Sequence, residues 1–171
     1  MEHYEKATID GFDLVSLVSP VDRQFLLENR DASGDHVRVY TNGIDLEKRP
    51  FREPGQEPVM VFIGNMRTVH NRMSCQYVAT EIIPRVRREI PDMCLRIVGA
   101  APPSTKKAFN EMEGVTVTGW VDSIPEAVRG AVCGVGVMQV GGGLQNKILE
   151  YMALGLPVVA NEIGVEGIDL K

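Results

Sequence analysis

Short apolar runs alternate with amphipathic stretches along most of the chain. Residues 59–63, 95–98, 115–118, 132–138 and 156–160 are brief, apolar and bounded by glycine or polar residues. That pattern predicts five buried strands. Helical patterns lie between them. One starts at about Met73, with Tyr77, Val78 and Ile82 facing inward and Pro84 predicting a kink or a new start. A second runs over residues 104–112 with Ser104 as its cap, and a third follows Asp122 or Ser123, with Pro125 near its first turn. Strands alternating with helices predict an α/β fold, a Rossmann-like parallel sheet with helices on both faces.

The first 58 residues read differently. Residues 1–10 are polar and predict an incoming helix or a disordered start. A strand is expected over 12–18, a helix over 21–29 capped by Ser19 or Asp22, a loop over 31–35, and a strand over 37–40 that ends in the turn Thr41-Asn42-Gly43. Residues 47–58 are charged, contain three prolines and read as a linker.

The most informative stretch is 141–160, GGGLQNKILEYMALGLPVVA. Leu144, Ile148, Leu149, Met152 and Ala153 recur at helical spacing, so one apolar face, with Met152 in the core, is expected. Gly155 sits where a left-handed C-cap would, with Pro157 after it. A glycine-rich loop feeding a helix N-terminus is a ready anion site, because backbone N–H groups converge there and the macrodipole adds positive potential. Lys147 adds a full charge, and Glu150 lies three residues on, on the same face. Phosphate at the mouth and a diol below it would suit a nucleotide. The pattern alone leaves open a glycine-rich turn followed by a surface Lys–Glu pair.

Composition narrows the class. The chain has 171 residues, 44% hydrophobic, with a net charge of −5, and reads as one globular domain with a sizeable core. The acidic balance argues against nucleic acid as a partner. Cys75, Cys94 and Cys133 are odd in number and form no C-x-x-C pair, which points to free thiols in a reducing, cytoplasmic setting rather than to zinc. The N-terminus has no apolar core of a signal peptide, and the uncharged run 131–146 is too short and glycine-rich for a bilayer span. Arg85, Arg87 and Arg88 read as a solvated face, and His70 as a lone loop histidine.

Residues 141–168 also resemble the donor-binding signature of glycosyltransferase family 4, the retaining GT-B enzymes. Glu150, Met152, Ala153, Gly155, Pro157, Val158, Val159, Gly164 and Glu166 fall in register with it. The Gln-Asn-Lys before the helix resembles sugar transferases of exopolysaccharide or lipopolysaccharide type. FDLVSLVSPVDRQFL and VRVYTNGIDLEKRPF resemble the pieces that close the family's N-terminal domain. One position departs: the first glutamate of the E-x7-E pattern falls on Gly142. The resemblance implies one half of a GT-B fold. Residues 1–47 would be the tail of the N-terminal domain and the interdomain connection, 48–58 a linker, and 59–171 a Rossmann-like donor-binding domain truncated at its C-terminus.

The resemblance further implies transfer of a sugar from a nucleotide-diphosphate sugar to an acceptor, with retention. Lys147 and Glu150 would form the catalytic pair, Lys147 countering diphosphate charge and Glu150 accepting from the ribose hydroxyls. Gly143, Leu144 and Gln145 would face phosphate or sugar. Gly64, Asn65 and Arg67 would line the first loop, where the family carries a basic pair; Arg72 and His70 are its other candidates. The base would lie along Gly119, Trp120 and Val121, with Gly99 in the neighbouring wall. Trp120 itself is expected to be a packed loop aromatic rather than a stacking platform. Glu166 would touch ribose or cap a turn.

No metal or other cofactor is expected, since no Asp-x-Asp occurs. The acceptor, a saccharide or a lipid-linked sugar, would bind a half absent from this chain, so the chain alone would be inactive. The full protein would be cytoplasmic, with room for peripheral contact at the inner face of the membrane. Two other functions fit the same architecture: a nucleotide-sugar 2-epimerase and a non-catalytic nucleotide-sugar-binding module. No G-x-x-x-x-G-K-[ST] occurs, which disfavours a nucleotide hydrolase.

Overall fold

The structure is a computed structural model and describes residues 9–28 and 34–168. The expectations for residues 1–8, Asn29, the start of the 31–35 loop and the last three residues lie outside the described residues. The chain divides into two compact units. One comprises Met1–Gly43, Gly142–Leu144 and Glu166–Lys171; the other comprises Ile44–Gly141 and Gln145–Val165.

In the smaller unit, β1 (Val15–Leu17) pairs in parallel with β2 (Val37–Val39), and α1 (Pro20–Leu27) connects them. Ser19 is the N-cap of α1; its hydroxyl accepts from the amides of Val21 and Asp22 at 3.1 and 3.4 Å, and Pro20 takes N1. β1 is shorter than the apolar run 12–18, and Phe12 and Leu14 outside it are exposed.

The larger unit holds a five-stranded parallel sheet in the order β5-β4-β3-β6-β7. Its strands are β3 (Glu57–Ile63), β4 (Cys94–Val98), β5 (Val115–Gly119), β6 (Ala131–Gly136) and β7 (Val158–Ala160). The chain starts in the middle, builds outward to β5, then crosses back to β6 and β7. That is a doubly wound Rossmann-like sheet, and its topological switch point falls between β3 and β6. Val61, Phe62, Leu95, Ile97, Val98 and Val135 are at most 1% exposed, as strands covered on both faces require. Residues 48–56 carry no helix or strand and lie along this unit: the Arg52 amide donates to Leu154 O at 3.3 Å and the Gly55 amide to Ala131 O at 3.0 Å.

The helix expected from Met73 begins earlier, as α2 (Val69–Tyr77) with Thr68 as its N-cap. His70, Asn71 and Arg72 are therefore helical, not in a loop. A π-turn over Val78–Ile82 follows and leads into α3 (Ile83–Val86), where Pro84 takes an early helical position. The lost hydrogen bond at Pro84 is absorbed by that wider turn instead of by a sharp break. Val78 is fully buried, but Tyr77 is 37% exposed and does not face inward as expected.

α4 (Pro103–Asn110) is capped at Pro102, so Ser104 sits within the helix and is not its cap. α5 (Ile124–Ala127) does take Ser123 as its cap, with the hydroxyl accepting from the Glu126 amide at 3.4 Å. β6 ends at Gly136 and β7 starts at Val158, each shorter than its apolar run. The basic cluster at the end of α3 is only partly a solvated face. Arg87 donates to Met93 O at 3.0 Å and pairs with Glu113 at 2.7 Å, which holds the turn into β4.

α6 (Asn146–Ala153) turns a different face inward from the one expected. Lys147, Ile148 and Tyr151 are buried, whereas Met152 is 51% exposed. Tyr151 sets this orientation. Its ring packs where a Cβ on Gly134 would stand, so β6 accepts it only because residue 134 is glycine. Its hydroxyl accepts from the Ile63 amide at 2.8 Å and lies 3.3 Å from both Val61 O and Val135 O. It thus bridges β3 and β6 beyond Gly134, where their ladder stops.

Candidate functional site

A cleft of about 620 Å3 opens at the C-terminal ends of the strands, beside the switch point. This is where an open doubly wound sheet offers ligand-binding loops, and the volume suits a small organic ligand. Ile63, Gly64 and Asn65 form one wall, Val98, Gly99 and Ala100 the next, and Trp120, Val121 and Asp122 the outer lip. Lys48, Arg49 and Glu150 close it from the side of α6.

Glycine shapes the floor. The amides of Gly64 and Met66 donate to Val98 O and Ala100 O at 2.9 and 2.8 Å, and the Gly99 amide donates to Gly119 O at 3.2 Å. Gly99 has φ +140°, and a Cβ there would run into the carbonyl of Gly64. Only glycine lets the loops after β3 and β4 close this tightly.

Asn65 organises the first loop. Its Oδ1 accepts from the Arg67 amide at 2.9 Å, and its carbonyl accepts from the Thr68 hydroxyl and from Asn71 Nδ2 at 2.9 and 3.1 Å. Asn71 Oδ1 in turn accepts from Lys147 Nζ at 2.9 Å. The ammonium of Lys147 also stands 4.2 Å from the centre of the Phe62 ring, a cation–π contact, and 3.4 Å from Met138 Sδ. Lys147 is 8% exposed and does not line the cleft; it supports the Asn65 loop from behind through Asn71. Burial pushes its pKa down to about 8. A Cys75 thiolate would oppose that shift, but burial raises the Cys75 thiol well above its usual range, so at neutral pH it is uncharged. No Lys147–Glu150 pair forms.

Glu150 points the other way, into the cleft, with its side chain 19% exposed. Arg49 Nη2 donates to Glu150 Oε1 at 2.9 Å, and Arg49 Nη1 to Lys48 O at 3.2 Å. Arg49 Nε is buried without a hydrogen-bond partner. Lys48 pairs with Asp45 at 3.0 Å in a largely exposed bridge.

Gly64, Asn65, Gly99, Trp120, Val121 and Glu150, all singled out from the sequence, line one cleft. Trp120 is 79% exposed, so it is not a packed aromatic. Gly119 lies immediately below the lip, with φ +82°. Arg67 and His70 are exposed and outside the cleft lining. Arg72 donates to Met66 O and Arg67 O at 2.9 and 2.8 Å and braces the loop. The cleft's cations are Lys48 and Arg49, which sequence reasoning missed because they lie in a stretch read as linker, a hundred residues from Glu150.

Gln145 is the N-cap of α6 and makes no side-chain capping bond. Gly143 and Leu144 belong to the smaller unit. In that unit a Cβ on Gly142 would meet only Glu166 Oε2, at 3.8 Å, so a carboxylate stands beside the position where the E-x7-E pattern has its first glutamate.

The fold is that of the Rossmann-like halves of GT-B glycosyltransferases. Residues 57–169 match the family described as Glycosyl transferases group 1, and the chain belongs to that family. No curated protein matches significantly. Among solved structures, a TarM variant of S. aureus in complex with fondaparinux, alpha-GlcNAc-glycerol and UDP superposes with a TM-score of 0.72 at 17% identity, covering 95% of this chain and 32% of that one. A glycosyltransferase of Rickettsia africae gives 0.72 at 16% identity, with 97% and 48% covered. HepE of Anabaena in complex with UDP and glucose gives 0.67 at 15%, with 95% and 49% covered. At these identities the likeness is one of fold, and the chain spans half or less of each structure's length. Among the described residues no helix is long and apolar enough to cross a membrane.

Proposed function

We propose that this chain is the donor-binding half of a retaining glycosyltransferase of family 4 and takes a nucleotide-diphosphate sugar. The observation that carries the reading is Glu150: a carboxylate held at the side of a cleft whose other walls are glycine-rich strand ends and an exposed tryptophan. A carboxylate offers two acceptors to a ribose diol, and Trp120 offers an apolar face to a base. HepE and TarM were solved with UDP, which supports a nucleotide as the ligand of this fold.

In the reaction the bond between the anomeric carbon and the diphosphate oxygen breaks, a bond to the acceptor oxygen forms on the same face, and the acceptor's proton passes to the departing diphosphate. Charge builds on the departing diphosphate. Donors aimed at that charge are the main catalytic resource, at roughly 3–4 kcal/mol for a single well-placed one. Here the Asn65 amide would be one such donor, with Lys147 adding positive potential from behind Asn71. We assign these roles without a metal ion. The acceptor, a saccharide or lipid-linked sugar of a polysaccharide pathway, would meet the donor on the half this chain lacks. The full protein would work in the cytoplasm, at or near the inner membrane face.

The test uses a longer form of the protein that carries the acceptor half. Incubation with nucleotide sugars and saccharide acceptors, followed by NMR of the new anomeric centre, is expected to give a product of retained configuration. An epimerised nucleotide sugar released without acceptor, or tight nucleotide-sugar binding with no turnover, would contradict the transferase and favour the epimerase or the binding module.

A further inference from the structure

Asn71 lies near the start of α2, 8% exposed, with both ends of its side-chain amide in use. Lys147 Nζ donates to its Oδ1 at 2.9 Å, and its Nδ2 donates to the Asn65 carbonyl at 3.1 Å. An ammonium only donates, so Asn71 turns its oxygen to Lys147 and its NH2 to Asn65. The reverse orientation would set NH2 against ammonium and oxygen against carbonyl. Lys147 thus fixes the sense of a contact it does not make itself. Tight packing adds to this: a Cβ on Gly64 would stand 3.0 Å from Asn71 Nδ2.

The Asn65 carbonyl also accepts from the Thr68 amide at 3.2 Å and from the Thr68 hydroxyl at 2.9 Å. Three donors therefore engage one carbonyl of a cleft-lining residue. The Asn65 amide has no hydrogen-bond partner among the described residues and stays available to a ligand. That division matters for an anion, because an amide attracts diphosphate oxygens and a carbonyl repels them. Building on the proposed nucleotide-sugar site, we infer that Asn71 is a positioning residue: it keeps the Asn65 carbonyl engaged, so that the loop after β3 meets the donor's diphosphate with its amide alone. Lys147 then acts on the donor through Asn71. Thr68 holds the carbonyl from within the loop, whereas Asn71 ties it to α6, the helix that carries Glu150.

The experiment is calorimetric titration of the chain with UDP, GDP and ADP, and then with the monophosphate of whichever binds, in wild type, Asn71→Leu and Asn71→Asp. Leucine is close to asparagine in size, leaves Lys147 in place and removes both hydrogen bonds. Aspartate gives Lys147 a counter-charge but sets an acceptor against the Asn65 carbonyl. Both variants are expected to lose about tenfold in diphosphate affinity, the loss expected for a hydrogen bond to a charged group, and to bind the monophosphate within about threefold of wild type. A purely structural role would weaken both ligands alike. Asn71→Asp is expected to melt no lower than wild type, since a buried ammonium gains a partner, and it keeps the test open if Asn71→Leu fails to fold. Unchanged diphosphate affinity in either folded variant, or equal losses for monophosphate and diphosphate, would overturn the inference and leave the nucleotide site standing. Failure of folded wild type to bind any of the three nucleotides would overturn the site, and the inference with it.

Discussion

Lys147 stands over the ring of Phe62, its ammonium 4.2 Å from the ring centre and 2.9 Å from Asn71 Oδ1. A buried cation held only by neutral acceptors, Asn71 Oδ1 and Met138 Sδ, and one aromatic face is under-compensated, and burial lowers its pKa to about 8. In the unfolded chain the same lysine titrates near the usual 10.5. The unfolded state therefore binds more protons between these values, and stability rises with pH across that window. From pH 7 to pH 9 the wild type is expected to gain about 1 kcal/mol from this group. Above pH 9 the raised thiol of Cys75 works in the opposite sense, because the folded state then holds the extra proton. Urea denaturation of wild type and Lys147→Met at pH 7, 8 and 9 checks this: the difference between the two slopes is the lysine's contribution. Parallel slopes would show that Lys147 is not strained.

Tyr151→Phe removes only a hydroxyl, yet leaves the Ile63 amide buried without its 2.8 Å acceptor. The expected loss is about 1–3 kcal/mol. For a chain of this size that lowers Tm by several degrees, measurable by calorimetry. A loss below a few tenths of a kcal/mol would mean that the amide finds another partner. Because Tyr151 ties α6 to the strands beside the cleft, nucleotide affinity should fall along with stability.

These two residues also mark what the sequence could and could not show. The sheet was legible, because strands buried on both faces read as apolar runs with glycine after them, and the glycines at 64, 99 and 119 lie at the sheet edge where ligands bind. The orientation of α6 was not. Periodicity assigned Met152 to the core, but the gap left by Gly134 accepts the ring of Tyr151, and a helix rotates to fill such a gap whatever its mean apolar face. Three-residue spacing predicts Lys147 and Glu150 as neighbours on one helix face. Packing separates them, one beneath the loop and one into the cleft. Arg49 left no signal, because a single arginine in a proline-rich stretch looks like a solvated charge until the fold brings it to Glu150.

Trp120 is the chain's one tryptophan and lies 79% exposed on the cleft lip. Its removal should barely touch stability, by less than about 0.5 kcal/mol for Trp120→Ala, since little packing is lost. Nucleotide affinity should fall by tenfold or more if a base stacks there. Saturating nucleotide should also change the emission excited at wavelengths beyond tyrosine absorption, which reports Trp120 alone. Unchanged emission at saturation would place the base elsewhere.

The central claim is that the cleft beside Glu150 receives a nucleoside diphosphate. Calorimetric titration of wild type and Glu150→Gln with UDP, GDP and ADP tests it most directly. The account predicts that one nucleotide series binds and that Glu150→Gln weakens it by about tenfold or more while the protein stays folded. Equal affinity in Glu150→Gln, or no binding of any of the three to folded wild type, would contradict it.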